Sequence, residues 1–435
     1  MKNYRALIPV GMLVVMLASW YLLVQNVTET ERTYNNYLGQ ARKYAEEGIT
    51  KYAMQNYNAA LEMNSTPELY IEIIQYYNEQ GDASEYLLWC RKFFDAYPTN
   101  IGAYEYLLGV YLENKDYKMC FDILETARKR SITSDYIEQA EADIQYVYTF
   151  AYNNFSDVAV YSNSYCPVKG SGLWGFADRY GNQVISCVYK EVGSFTQSGV
   201  APVVDSTGDA YFIDNTGAKV MASKEKYQSF GALVDGKIAA KRMDNKYTYV
   251  DQGFNVLFGE YDYASTMNSG VAAVRTGDSW QLIGADGKEL TAEKYVDIKV
   301  DEKQIAYRND RCFAATSDGN YIMLDGSGTQ VGTLSFEDAR VFAGDAPAAV
   351  KLQGKWCFVN QEGSLISNEK YDDARSFANG LAAVCINGKW GFVDLEETVV
   401  IEPQFFETKD FNEKGSCYVN VGDSWQLLKL YRLNR

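Results

Sequence analysis

Five aspartates, Asp178, Asp214, Asp251, Asp325 and Asp394, recur at one place in successive segments of the chain. Converging carboxylates bind calcium or act in pairs as general acid and base. Here each segment supplies only one, inside runs such as Phe176–Gly181, Phe212–Gly217 and Met323–Gly328. An aspartate so placed accepts backbone N–H groups within a tight turn, and the glycine three residues on supplies a positive φ. The expectation is a hairpin device, with neither a metal site nor a catalytic pair. Five tryptophans, Trp174, Trp280, Trp356, Trp390 and Trp425, hold a second fixed place. Exposed indole rings stack on sugars, whereas these sit in alternating strands, so packing against the neighbouring segment is expected.

Little else in the chain points to catalysis. There is no histidine, so the commonest general base and the mixed Cys/His zinc site are both missing. No G-x-S-x-G elbow or phosphate loop occurs, and neither an enzyme nor a cofactor is expected. Cys90, Cys120, Cys166, Cys187, Cys312, Cys357, Cys385 and Cys417 form no CxxC pair. Their apolar surroundings favour buried free thiols over scattered disulfides. The formal charge of −16 argues against nucleic acid as a partner. One stretch breaks the regularity: Val300–Asn320, carrying Asp301, Glu302, Tyr307, Arg308, Asp310 and Arg311. A surface insertion is the favoured reading. As a binding loop it would offer Tyr307, Arg308 and Arg311 to a partner.

The elements that carry these residues repeat. The Trp390 position is filled by Trp174, Ala210, Tyr247, Trp280, Tyr321, Trp356, Trp390 and Trp425, a period of 33 to 41 residues. Such a period means stacked supersecondary units. In one unit the apolar pieces are Tyr371–Phe377, Leu381–Cys385, Trp390–Asp394 and Val399–Glu402, and the first piece carries aromatics six residues apart, as in Phe155/Tyr161, Tyr189/Phe195, Phe336/Phe342 and Phe405/Phe411. Four strands per unit favour a β-propeller of seven or eight blades over the alternative, an open β-solenoid. The last unit ends without a fourth strand, and Tyr146–Phe150, aromatic and β-branched, is expected to supply it.

These motifs resemble the WG-repeat family of bacterial proteins. Lys389-Trp390-Gly391-Phe392-Val393-Asp394 and Leu173-Trp174-Gly175-Phe176-Ala177-Asp178 match its core run, and Val200–Val203, Val271–Val274 and Leu381–Val384 match its second. The resemblance implies no particular chemistry.

Upstream the period is helical. Leu69, Ile73, Ile74 and Tyr77 form one stripe, with further stripes at Tyr86/Cys90/Phe93, Tyr104/Leu107/Leu108/Tyr111 and Tyr117/Cys120/Leu124/Ala127. Between about Tyr37 and Arg130 this is similar to tetratricopeptide repeats. That resemblance implies an α-solenoid whose groove would present Glu68, Gln75, Asn78, Glu105 and Glu113 to a peptide or protein. The alternative is a spacer. A final helix is expected from Ser134 to Tyr148. Ala6–Val24 is an apolar run of 19 residues, about 28 Å as a helix, matching a bilayer's hydrocarbon core. Lys2 and Arg5 precede it, which directs the N-terminus to the cytoplasm. A cleaved signal peptide is the alternative.

The expected organisation is multidomain α plus all-β: an anchor over 1–29, helical repeats over 30–150 and the β-array over 151–435. The expected function is a membrane-anchored extracytoplasmic scaffold binding envelope proteins or peptides. Cell-wall glycan is the alternative ligand.

Overall fold

The computed structural model describes residues 7–344, 347–366 and 371–431, with backbone alone for most of 7–28. The described chain divides into a helical unit, through Gln145, and a β unit that begins at Tyr146.

The helical unit holds α1 (Leu7–Glu46), α2 (Thr50–Met63), α3 (Pro67–Gln80), α4 (Ala83–Ala96), α5 (Ile101–Glu113), α6 (Tyr117–Lys129) and α7 (Asp135–Ile144). Short side chains start most of them. Thr66, Asp82, Asn100, Asp116 and Ser134 each accept the backbone N–H three residues on, which satisfies an otherwise orphaned donor. Gly81 ends α3 in the left-handed region. The apolar stripes fill the core: Ile73, Ile74, Cys90, Phe93, Tyr104 and Leu108 are fully buried.

Two expected boundaries move. α1 runs unbroken across the boundary expected at residues 29 and 30. α7 stops at Ile144, so Tyr146–Tyr148 belongs to the β unit. Among the described residues no helix is long and apolar enough to cross a membrane. Lys2, Arg5 and most side chains of the Ala6–Val24 run lie outside the described residues.

The β unit is an eight-bladed propeller. Its eight sheets have three or four described strands each, all antiparallel, and seven of them are meanders of consecutive strands. Blade 1 comprises Asp157–Val158, Tyr165–Gly170, Leu173–Asp178 and Gln183–Tyr189, and blade 7 comprises Asp373–Ala374, Ala382–Ile386, Lys389–Val393 and Val399–Phe405. Blade 8 is assembled from both ends of the unit. Glu407–Thr408, Ser416–Asn420 and Trp425–Leu430 are completed by Tyr148–Phe155, whose register runs from Tyr148 opposite Leu430 to Phe155 opposite Trp425. This is the strand exchange expected from the missing fourth strand, and it removes the exposed edges of an open array.

The core lies between blades. Eight apolar clusters each join one blade to the next, including one in which Val158 and Cys166 of blade 1 meet Phe155, Tyr418 and Leu427 of blade 8. The aromatic pairs explain this joining. Phe176 meets Phe195 with ring centroids 4.8 Å apart, and Phe358 meets Phe377, as Phe392 meets Phe411, at 4.7 Å. The second member of each six-residue pair thus packs on the blade before it.

The tryptophans share this burial only in part. Trp356 and Trp425 are buried, while Trp174, Trp280 and Trp390 are half-buried. The fully enclosed ring is two residues further on, at Phe176, Phe212, Phe358 and Phe392. The intervening glycine has its own reason. A Cβ at Gly175 would overlap the Ile185 carbonyl, and one at Gly391 the Ile401 carbonyl, because the outermost strand bulges over that position.

Candidate functional site

The recurring aspartates are turn residues. Asp214 Oδ1 accepts the N–H groups of Thr216 (2.8 Å) and Ala218 (3.0 Å), and Asp178, Asp251, Asp325 and Asp394 repeat the pattern at two and four residues on. Among the described residues no group of carboxylates and thiols could hold a metal. The hydroxyl of Thr216, then backbone N–H groups, hold Asp214 below the usual carboxylate range, and side-chain bonds from Asn255 and Ser327 do the same for Asp251 and Asp325. Asp318, bonded by Thr316 and Asn320, is lowered to about 2.

A carboxyl held low in the fold stabilises it above its unfolded pKa of about 4, and the contribution fades as pH falls through the folded value. The melting temperature should therefore fall as pH drops from about 4 toward about 2. Asn360 fills the same turn position with the same backbone bonds, and Asn412 makes the same turn between the first two strands of blade 8. Asp214→Asn is thus expected to hold its neutral-pH melting temperature and to lose a share of the acid slope. A fall at neutral pH instead would show that the charge, and not the acceptor, matters.

What the blades do not share lies on the axis. All eight contribute to two cavities of about 310 and 300 Å³ there, through residues on or just after each first strand: Ala159, Gly193, Gly231 and Thr266 from blades 1–4, and Lys299, Arg340, Arg375 and Asp410 from blades 5–8. The first-strand positions of one half are therefore small and neutral, and three of the four in the other half are cationic. In the cationic half Lys299 pairs with Asp338 (2.8 Å), Arg340 with Asp373 (2.8 Å) and Arg375 with Asp410 (2.5 Å), each reaching to the next blade. Burial alone would raise Asp410, but the Arg375 guanidinium outweighs it and holds the carboxyl below its ordinary range.

The stretch expected to be a surface insertion enters this channel. Asp301 forms the same aspartate turn, accepting from Lys303 and Ile305. The turn is pinned to blade 4, where Thr266 N–H donates to the Gln304 carbonyl (2.6 Å) and the Tyr263 hydroxyl to its side chain (2.6 Å). From there Glu302 bridges the ring, accepting from Arg375 (2.9 Å) and Lys409 (3.2 Å) of blades 7 and 8.

The three partner-binding candidates of this stretch are taken up internally. Tyr307 is 5% exposed. Arg308 donates to the Ala343 carbonyl and to Asp301, and Arg311 to the Gln361 carbonyl. Of the helical candidates, Glu68, Gln75 and Asn78 are exposed on α3, at spacings that share one face, and Glu113 is exposed at the end of α5. Glu105 instead accepts from Ser134, the residue capping α7.

Lys299, Lys303, Arg340, Arg375 and Lys409 were missed. For all but Lys303 the signal is a base two residues after an acid at the start of four successive units, as in Asp338-Ala339-Arg340 and Asp373-Ala374-Arg375, and absent from the first four units. All eight cysteines are free, and seven are buried. Burial pushes the Cys90 and Cys312 thiols up to about 12 and Cys120 to about 11, as suits small hydrophobes.

No curated protein sequence matches the chain. Among solved structures it is similar to BamB from Moraxella catarrhalis (11% identity, 65% of this chain and 99% of that one, TM-score 0.42). The C-terminal WD40 domain of Sif2 (10%, 65% and 98%, 0.41) and the WD40 β-propeller domain of Doa1 (11%, 65% and 96%, 0.31) are also similar. The profile of the WG containing repeat matches residues 174–205, 247–280, 358–390 and 390–425. The propeller therefore carries WG repeats.

Proposed function

We propose that this chain is a membrane-anchored, extracytoplasmic scaffold that binds envelope proteins or peptides through its repeat surfaces, and that it is not an enzyme. The observation that carries this reading is how the repeats vary. Interblade packing and turn chemistry recur around the ring, while the channel lining and the loops differ from blade to blade. Repeat proteins present broad surfaces of this kind to macromolecules. On this reading the helical unit is tetratricopeptide-like, the exposed face of α3 is its contact surface, and Ala6–Val24 is the anchor with Lys2 and Arg5 on the cytoplasmic side.

The soluble fragment Thr30–Arg435 is expected to capture an envelope protein, and a Glu68→Ala, Gln75→Ala, Asn78→Ala variant to capture it at least several-fold less. Capture that is indifferent to this face would reduce the helices to a spacer. Protease added to intact cells is expected to digest the chain beyond about Gln25, whereas full protection until lysis would reverse the topology.

A second reading, a cell-wall glycan ligand, is favoured by one observation. Trp174 and Tyr247, at equivalent places in their units, both line the 310 Å³ cavity, where aromatic faces would suit a sugar ring. Capture of purified wall glycan without protein would put this reading first.

A further inference from the structure

We propose that the 300 Å³ cavity in the cationic half of the channel binds a carboxylate, presented by an acidic side chain or a chain terminus of a partner peptide. The inference deepens the scaffold reading and rests on it only for the source of the carboxylate.

Among the described residues, the ion pairs around the cavity take up every cation but one. Lys299, Arg340, Arg375, Arg308 and Lys409 each have a carboxylate, on Asp338, Asp373, Asp410, Asp301 and Glu302 respectively. Lys303, in the wall of both cavities, has no such partner for its ammonium among the described residues. A second donor in the same wall is also unused. Arg308 employs both terminal nitrogens, and its Nε is buried without a hydrogen-bond partner. A buried donor left unpaired is destabilising, so a ligand that satisfies it gains by that amount. Burial, and then the Arg308 charge, push the Lys303 pKa down by more than Asp301, Asp410 and Glu413 hold it up, and a further anion in contact with the ammonium opposes that shift.

One ammonium without an ion pair and one unused guanidinium N–H match one carboxylate with its two oxygens. The channel already treats a carboxylate in this way: Glu302 gives one oxygen to Arg375 and the other to Lys409. A phosphate dianion fits less well, since its second charge would face Asp301, Glu302, Asp338 and Asp410 across the same cavity.

The test follows acylation of lysines by an amine-specific reagent in the full-length protein, mapped by mass spectrometry. Glutamate blocked at both backbone ends supplies a side-chain carboxylate, and N-acetylglycine supplies a chain terminus. Inorganic phosphate and acetamide are controls, and exposed Lys224 is the internal reference. At least one carboxylate should slow Lys303 acylation several-fold and saturably, with half-effect on the order of millimolar for a single desolvated ion pair. Lys224 should not respond. The carboxylate that protects better identifies the source. Lack of protection by either, or equal protection by phosphate, overturns the proposal. Arg308→Gln should weaken protection, and the wild-type footprint stands even if that variant folds poorly. An envelope partner captured equally by wild type and Lys303→Met would overturn this site and leave the scaffold reading intact. Footprint protection without any captured partner would support the site and remove the scaffold reading.

Discussion

Removing everything after Asp423 is expected to unfold the whole β unit in one step. The strand Trp425–Leu430 pairs with Ser416–Asn420 on one side and Tyr148–Phe155 on the other, and it buries Trp425, Leu427 and Leu428. Those side chains belong to the two clusters that hold blade 8 against blades 7 and 1. Each large buried apolar side chain is worth about 2–5 kcal/mol, so together they rival the about 5–15 kcal/mol that keeps a domain folded. Thermal unfolding followed by near-ultraviolet circular dichroism should show no cooperative β transition in the truncated protein. A retained transition with loss confined to the last blade would describe an open rod, in which each unit touches only its neighbours.

The second large effect concerns Phe392. Its ring is 1% exposed and packs edge-on against Phe411 of the next blade. Phe392→Ala is therefore expected to cost about 3–5 kcal/mol. Trp390→Ala, two residues away on the same strand, should cost less, because that indole is only half-buried and solvent fills part of the space it leaves. Denaturant titration of the two variants gives the order directly. A larger loss from Trp390→Ala would return the tryptophan to the centre of the interblade core.

The repeat period, the turn aspartates and the missing eighth-blade strand were legible because each rests on local chemistry. An aspartate two and four residues before its N–H donors, or an unfinished unit facing an aromatic, β-branched segment, can be read in one dimension. The weight given to tryptophan was misplaced because period two puts Trp390 and Phe392 on the same face, and only the path of the next blade decides which ring is enclosed. The channel was illegible for a related reason. Glu302 meets Arg375 and Lys409 across 73 and 107 residues of sequence, and an acid-x-base start to a unit gains meaning only when eight such starts converge on one axis. Tyr307, Arg308 and Arg311 looked available because they interrupt a repeat, yet the same interruption buries Tyr307 and ties both arginines into hydrogen bonds within the ring.

Closure of the ring by an exchanged strand is the central claim, and one covalent bond tests it. Thr149 and Lys429 lie directly opposite each other in the register of the closing strands, 280 positions apart in the chain. Antiparallel partners stand about 4.5–5.5 Å apart at Cα, within the range a disulfide spans. In a protein carrying Thr149→Cys and Lys429→Cys, mild oxidation of the folded state should join the two new thiols. Peptide mapping should find that cross-link, and its oxidation should raise the melting temperature of the β unit. Two thiols that remain free and are alkylated independently in the folded protein would contradict closure.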